Sequence, residues 1–235
     1  GHAFVAAPSV DTLLAMTSGL AQYEFPLDVV QETGLRVPLF APFLGEKPRG
    51  LGQKRDDPGA RAATWIAHLV KLGVDPRDET FALLDGVAGP KASKEARGNA
   101  AHARGLVELR EGIVDVARFT GKDRAVTDGM LRALHSVVWR WFQTSAQIPF
   151  ASLVPVFRSA LVPSSPHVES VLGVLATWVS WRERAPDVAP VIDELLSVEA
   201  ATAKPKLASA AKGIVTKYTW AVARGEAPED PRVAA

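Results

Sequence analysis

Basic side chains are the groups most able to do chemistry in this sequence, and they are concentrated in one stretch of the chain. Residues 91–140 hold ten lysines and arginines against six acids. A guanidinium group can hold a phosphate through two parallel hydrogen bonds, and aromatic rings stack on bases, so basic and aromatic residues together are typical of single-strand nucleic-acid binders. The run Trp139-Arg140-Trp141 supplies both groups. The candidate nucleic-acid-binding residues are Lys54, Arg55, Lys94, Arg97, Arg104, Arg110, Arg118, Lys122, Arg124 and Arg140.

A second interpretation of the same charges needs no ligand. Acids are interleaved with the bases: Glu108 follows Arg104 by four residues, and Asp115 precedes Arg118 by three. Residues three or four apart are neighbours on a helix, so these acids can form ion pairs on a solvated face. The pattern alone does not choose between phosphate binding and pairing within the helix.

Histidine and carboxylate spacing indicates no metal site and no catalytic motif. The histidines after His2 lack a second histidine or a carboxylate three or four residues away, which a metal pair on one helix requires. They are His68, His102, His135 and His167. We expect His135 to be buried, because apolar residues surround it at helical spacing. Cysteine is absent, and no phosphate-binding glycine loop or nucleophile elbow occurs. The sequence therefore favours a non-enzymatic protein without metal or cofactor.

The elements that must position these groups are predicted to be helices. Asp57-Pro58 is a typical helix start, and Gly73 a typical stop. The last helix is predicted to begin at Pro205 and to close at Gly225. Strand-type alternation of apolar and polar residues is nearly absent. The predicted class is all-α, with eight to ten helices in one large lobe or two small lobes.

Three glycines lie seven residues apart in a long stretch predicted to be helical from Pro90 to about Thr120. Gly98, Gly105 and Gly112 would fall close to one stripe of that helix, since seven residues drift only about 20° around the axis. Bare backbone on one stripe predicts close packing of another helix. The alternative is two shorter helices broken near Gly98 or Gly105.

Residues 36–57 lack the apolar spacing that is typical of a helix. This stretch holds three prolines and three glycines together with four closely spaced basic residues, and it shows no clear period. We predict a long non-helical arm or loop here. Its apolar residues are predicted to dock on a neighbouring subunit, and the alternative is a loop folded back on its own core. The predicted interface residues are Leu39, Phe40, Phe43 and Leu44.

Segmentation of the chain follows from these features. Residues 1–57 are predicted to form a helix pair and the Pro/Gly-rich arm, and residues 58–224 a helical body with a division near residues 145–165. Residues 225–235 are predicted to be a flexible tail. With 47% hydrophobic residues and a net charge of +1, the composition excludes disorder for most of the chain. No apolar run is long enough for a transmembrane segment.

The functional hypothesis combines these expectations. We expect a self-associating homo-oligomer of the nucleocapsid or coat type, in which residues 91–140 contact single-stranded nucleic acid. One alternative is a helical small-molecule or pigment-binding protein whose tryptophans and one histidine line a pocket. Another is an interaction or scaffold module without nucleic acid. The six tryptophans fit a well-filled core and an interface equally well.

Overall fold

The fold is all-α, as the sequence predicts. In the computed structural model, residues 1–16, 27–50, 56–75, 77–87, 89, 91–139 and 148–228 are described. These residues contain no strand and form thirteen α-helices and two 3₁₀ helices. The elements are α1 (His2–Ala6), α2 (Val10–Ala15), α3 (Leu27–Thr33), α4 (Val37–Phe40), η1 (Ala41–Gly45), α5 (Pro58–Lys71), α6 (Arg77–Val87), α7 (Lys94–Arg110), α8 (Val116–Thr120), α9 (Arg124–Trp139), α10 (Phe150–Ala160), α11 (Val168–Trp178), η2 (Arg182–Val191), α12 (Ile192–Ala201) and α13 (Pro205–Ala223). Among the helices described, none has both the length and the apolar character that crossing a membrane requires.

Two compact units divide the chain. Unit 1 comprises Gly1–Glu108 and Asp123–Met130, and unit 2 comprises Leu109–Lys122 and Leu131–Ala235. The three breaks therefore fall inside α7, between α8 and α9, and inside α9, rather than at residue 57 or near residues 145–165. Capping residues, prolines and glycines in the sequence mark the ends of helices, whereas this division into units passes through two helices.

An aromatic cluster fills the core of unit 1. The ring of Phe40 stacks on Phe4 at 4.8 Å and on Trp65 at 5.8 Å between centroids. All three side chains are almost completely buried. Trp65 belongs to α5, which begins as predicted: the Asp57 side chain accepts a hydrogen bond from the Ala60 amide at 2.9 Å. The capping carboxylate satisfies an amide that the first helical turn leaves unpaired.

The predicted non-helical arm at residues 36–57 is wrong for its first half. Residues 37–45 form α4 and η1, and a proline stands in the first turn of each. Proline is tolerated there because the first amides of a helix have no partner within it. Phe40, Phe43 and Leu44 are buried and Leu39 is half-buried, so these predicted interface residues pack within unit 1. Of the remainder of the arm, residues 51–55 lie outside the described part of the chain.

Two long-range contacts hold α4 and η1 in place. The Val37 amide donates to Asp75 Oδ2 at 2.8 Å, so a carboxylate from after α5 caps α4. Asn99 Nδ2 of α7 donates to the Leu44 carbonyl at 2.6 Å in a buried position. A Cβ on Gly59 would overlap the Asn99 side chain and lie 2.9 Å from that carbonyl. Glycine is required at this junction because three segments meet at backbone distance.

Helix α9 approaches α7 where two glycines face each other. A Cβ on Gly129 would overlap the carbonyl oxygen of Gly98 and lie 2.9 Å from Ala101 Cβ. Gly98 and Gly105 are both buried in α7. The single helix expected from Pro90 to Thr120 is corrected, since α7 ends at Arg110 and Gly112 adopts φ +76° beyond it. A left-handed residue cannot continue the helix, so the predicted stripe ends at Gly105.

Unit 2 has its own aromatic core. Trp178 is fully buried and meets Phe150 edge to face at 5.0 Å between centroids. Its indole Nε1 donates to Asp187 Oδ2 of η2 at 2.9 Å, which satisfies the polar end of the ring. Helix α13 packs on this core, in contact with α11, α12 and η2. Its buried residues are Leu207, Ala211, Ile214, Val215, Tyr218 and Ala221.

The beginning of the predicted flexible tail is fixed in place. Helix α13 closes at Gly225, which adopts φ +71°, as the sequence indicates. Glu226 then accepts hydrogen bonds from Arg182 at 2.6 Å and from Arg224 at 2.7 Å. The Tyr218 hydroxyl donates to the Pro228 carbonyl at 2.9 Å. Residues 225–228 therefore contact the rest of unit 2, the prediction of a flexible tail stays a prediction, and residues 229–235 lie outside the described part of the chain.

Candidate functional site

Arg104 of α7 is occupied by partners within unit 1. Its Nε donates to Glu108 Oε1 at 2.8 Å, and its Nη1 donates to both oxygens of Asp85 at 2.7 Å. The guanidinium also lies over the Phe81 ring at 4.6 Å from the centroid. Burial alone would lower the pKa of Arg104, but the hydrogen bonds to Glu108 and Asp85 outweigh it and raise that pKa. This side chain joins α7 to α6, and its assignment as a phosphate ligand stays a prediction.

Arg97 has a similar structural role. Its Nε donates to Asp123 Oδ2 at 2.7 Å, and its Nη1 donates to the Ala92 carbonyl at 2.6 Å. Burial would raise the pKa of Asp123, but the hydrogen bonds from Arg97 and two backbone amides lower it. The contact ties α7 to the residue that precedes α9. A phosphate would have to displace Asp123 to reach this guanidinium.

The remaining basic candidates fall into three groups. Arg118 and Arg124 make pairs within their own turns, with Asp115 at 3.2 Å and Asp128 at 3.6 Å. Lys94 and Lys122 are exposed, and Arg110 is half-buried. Lys54, Arg55 and Arg140 lie outside the described residues. Four of the candidate arginines therefore form ion pairs with acids of the same unit. Phosphate binding by the exposed lysines stays a prediction.

His135 is exposed, which contradicts the expectation that it is buried. Its Nε2 lies 3.2 Å from Thr177 Oγ1 of α11. The neighbouring Leu134 and Val138 of α9 are fully buried and lie about 100° and 60° around the helix from His135, so His135 stands at the edge of the buried face. Across the described ranges, no group of three or more histidine, aspartate and glutamate side chains is placed to hold a metal ion.

Of the five tryptophans described, two lie in the core, two are exposed and Trp181 is half-buried. Trp65 and Trp178 are at most 2% exposed, whereas Trp139 and Trp220 are 65% and 58% exposed. An indole is a large apolar group, so two highly exposed examples are the unusual surface feature of the described residues. Composition could not separate these four residues. The position of Trp220 around the helix axis would have predicted its exposure, but only once the buried side of α13 was known.

The outer face of α13, defined here by Lys206, Lys212, Gly213, Lys217 and Trp220, combines an indole with cations. Lys206, Gly213 and Trp220 follow one another at seven-residue steps, so they lie near one line along the helix. Lys212 and Lys217 stand on opposite sides of that line. Within the described residues neither makes an ion pair. A Cβ on Gly213 would meet nothing within 4 Å, so the centre of the face is open.

Among the described residues, the carboxylates that pair with cations near this face lie toward the two ends of α13. Lys206 Nζ lies 3.2 Å from Glu169 Oε1, with 86% and 66% of the two side chains exposed. At the other end Glu226 accepts from Arg182 and Arg224, which lowers the pKa of this carboxyl to about 2. Between these ends the face carries positive charge and an aromatic ring without a compensating acid among the described residues. Comparisons of the chain with protein-family models, with curated proteins and with solved structures find no match.

Proposed function

We propose that this protein is a non-enzymatic, self-associating helical protein that binds single-stranded nucleic acid, as coat-type proteins do. The supporting observation is the exposure of Trp139 and Trp220 on helices that also carry cations. Aromatic platforms beside basic groups are the means by which single-strand binders hold bases and phosphates. Large exposed aromatic side chains are also enriched where protein copies meet.

Self-association is assigned to Trp139. The residues predicted to dock on a neighbour are buried or half-buried in unit 1, and Trp139 at the end of α9 is the most exposed large apolar side chain described. Burying an indole against a second copy would remove a large apolar area from water. An interaction module without nucleic acid would use the same residue, and the experiment below separates the two.

The experiment is size-exclusion chromatography with light scattering, recorded at the absorbance maxima of nucleic acid and protein. We expect an oligomer with excess nucleic-acid absorbance that falls after nuclease treatment. An oligomer with a protein-like spectrum that also fails to bind an added oligonucleotide would favour the interaction module. A monomer with a protein-like spectrum that binds no oligonucleotide would refute the proposal.

Two matched variants test the contact between copies. Trp139→Ser should lower the native mass and leave the helical circular dichroism unchanged, because this side chain contributes little to either core. Ile113→Ser, which replaces another exposed apolar residue (46% exposed), should leave the native mass unchanged. An unchanged mass for Trp139→Ser would remove Trp139 from the contact.

A further inference from the structure

We propose that the outer face of α13 is the binding site for single-stranded nucleic acid, with Trp220 stacked on a base and the lysines in contact with phosphates. This inference rests on the proposed function and assigns its site to residues outside the basic stretch 91–140. It follows from three properties of the face, namely its charge, its open centre and its length.

The charge of the face is available to an anion. Lys212 and Lys217 make no ion pair within the described residues, in contrast to Arg97 and Arg104 of α7. The pair between Lys206 and Glu169 is highly exposed, and pairs of this kind contribute little. A phosphate can therefore replace Glu169 at small cost, whereas at α7 it would have to break the hydrogen-bonded ion pairs of Arg97 with Asp123 and of Arg104 with Asp85 and Glu108.

The open centre of the face leaves room for a nucleic-acid strand to lie along the helix. Apart from Lys212 and Lys217, which flank it, the outer surface between Lys206 and Trp220 carries small side chains, among them Ser209, Gly213 and Thr216. Thr216 Oγ1 donates to the Lys212 carbonyl at 2.9 Å, so this hydroxyl is turned back onto the helix. The two flanking lysines are therefore the only long side chains that the described residues of α13 place on this surface between Lys206 and the indole.

The length of the face fits a short strand. Fourteen residues separate Lys206 from Trp220, which is about 21 Å at about 1.5 Å per residue. Stacked nucleotides rise by about 3.4 Å each, so the face spans about six of them. Three phosphate contacts predict that log K falls against log salt with a slope of about −2, because each contact to a single strand contributes about 0.7.

Fluorescence anisotropy with a labelled oligothymidine of about 12 nucleotides tests the site, since single-strand site sizes run from about 4 to 16. Trp220→Leu should weaken binding by about 5- to 150-fold, the range that loss of one stacked base produces. Trp220→Phe should restore most of the affinity, because it keeps an aromatic ring. Equal losses for the leucine and phenylalanine variants would overturn the stacking role.

Two glycine-to-glutamate variants test where the nucleic-acid strand lies without disturbing the fold. Gly213→Glu puts a negative charge at the open centre of the face, where an added side chain meets nothing within 4 Å. Gly86→Glu puts the same charge on α6 of unit 1 at an equally open position. We expect at least tenfold weaker binding for Gly213→Glu, unchanged binding for Gly86→Glu, and no loss of melting temperature for either.

A lysine set tests the salt dependence. Changing Lys206, Lys212 and Lys217 together to glutamine should bring the salt slope close to zero. The matched control changes the exposed lysines Lys47, Lys71 and Lys91 of unit 1 to glutamine. The salt slope of this control variant should stay near about −2. A reversal of these results would place the site in unit 1 and overturn the inference.

Failure of the inference is distinct from failure of the proposed function. If the unchanged protein binds the oligonucleotide and the Trp220→Leu and Gly213→Glu variants bind as tightly, the site is elsewhere and only the inference falls. If the unchanged protein binds no oligonucleotide, both fall. Equal affinity for a duplex of the same length would also overturn the inference, because paired bases offer no open face to an indole.

Discussion

Replacing Gly129 with alanine tests how closely α9 approaches α7 in unit 1. The added methyl group would overlap the Gly98 carbonyl oxygen and lie 2.9 Å from Ala101 Cβ. Carbon atoms in ordinary contact are about 3.5–4.0 Å apart, so the two helices would have to separate by about 1 Å. A carbonyl held in a helix cannot turn away as a flexible side chain can.

Two opposing effects determine how much Gly129→Ala changes the free energy of unfolding. Overpacking of this kind costs about 1–3 kcal/mol, and the backbone contact places Gly129→Ala at the upper end. Alanine returns about 1 kcal/mol through its higher helix propensity. The expected net loss is about 2 kcal/mol, which lowers the melting temperature by about 4–8 °C for a chain of this size.

Gly173→Ala is the matched control. Gly173 also lies inside a helix, but a Cβ there meets nothing within 4 Å, so only the propensity term operates. Its melting temperature should rise by about 2–4 °C. Thermal unfolding followed by circular dichroism measures both variants. A stability gain for Gly129→Ala equal to that of Gly173→Ala would refute the close approach of the two helices.

Three further changes test contacts that lie within unit 1 or within unit 2. Asn99→Ala leaves the buried Leu44 carbonyl without this donor and should cost about 1–3 kcal/mol in urea unfolding. Arg104→Gln strands the buried carboxylate of Glu108 and should cost about 2 kcal/mol, and the added change Glu108→Gln should recover part of that loss. Because its two arginine partners lower the pKa of Glu226 to about 2 from about 4.5, its stabilising contribution is complete above pH 4.5 and is lost as the pH falls toward 2. Urea unfolding of Glu226→Gln should therefore differ from that of the unchanged protein at pH 6 and converge with it near pH 2.

The outcome that contradicts each change is specific. Unfolding of Asn99→Ala at the unchanged urea midpoint would mean that the Leu44 carbonyl has another donor. A double variant as unstable as Arg104→Gln alone would mean that the stranded charge is not the cause. A constant stability difference between Glu226→Gln and the unchanged protein from pH 6 to pH 2 would contradict the ion pairs of Glu226.

Local signals in the sequence predict much of this fold. The capping carboxylate of Asp57, the left-handed glycine at Gly225 and the apolar spacing in α5 and α13 each act within a few residues. Such signals fix where a helix begins and which of its sides is buried. They misled at residues 37–45, because the prolines that indicated an irregular arm occupy first turns, where proline is compatible with a helix.

The candidate site was less predictable for a physical reason. Asp85, whose two carboxylate oxygens accept from Arg104 Nη1, lies nineteen residues away in the chain, so no helical spacing rule could reveal the pair. An arginine that binds phosphate and one that joins two helices look the same in sequence. The exposed Trp220 was equally hidden, since an indole in an amphipathic helix becomes a surface feature only when the partners of the opposite side are known.

The division of the chain has a consequence for synthesis on the ribosome. Unit 1 lacks Asp123–Met130 until the intervening segment Leu109–Lys122, which belongs to unit 2, has also been made. At about 5–20 residues per second, the nascent chain therefore spends about 1 to 4 s with the Gly98 side of α7 uncovered. A fragment that stops at Glu108 would keep that surface exposed permanently, so expression of residues 1–108 alone should yield an aggregation-prone product.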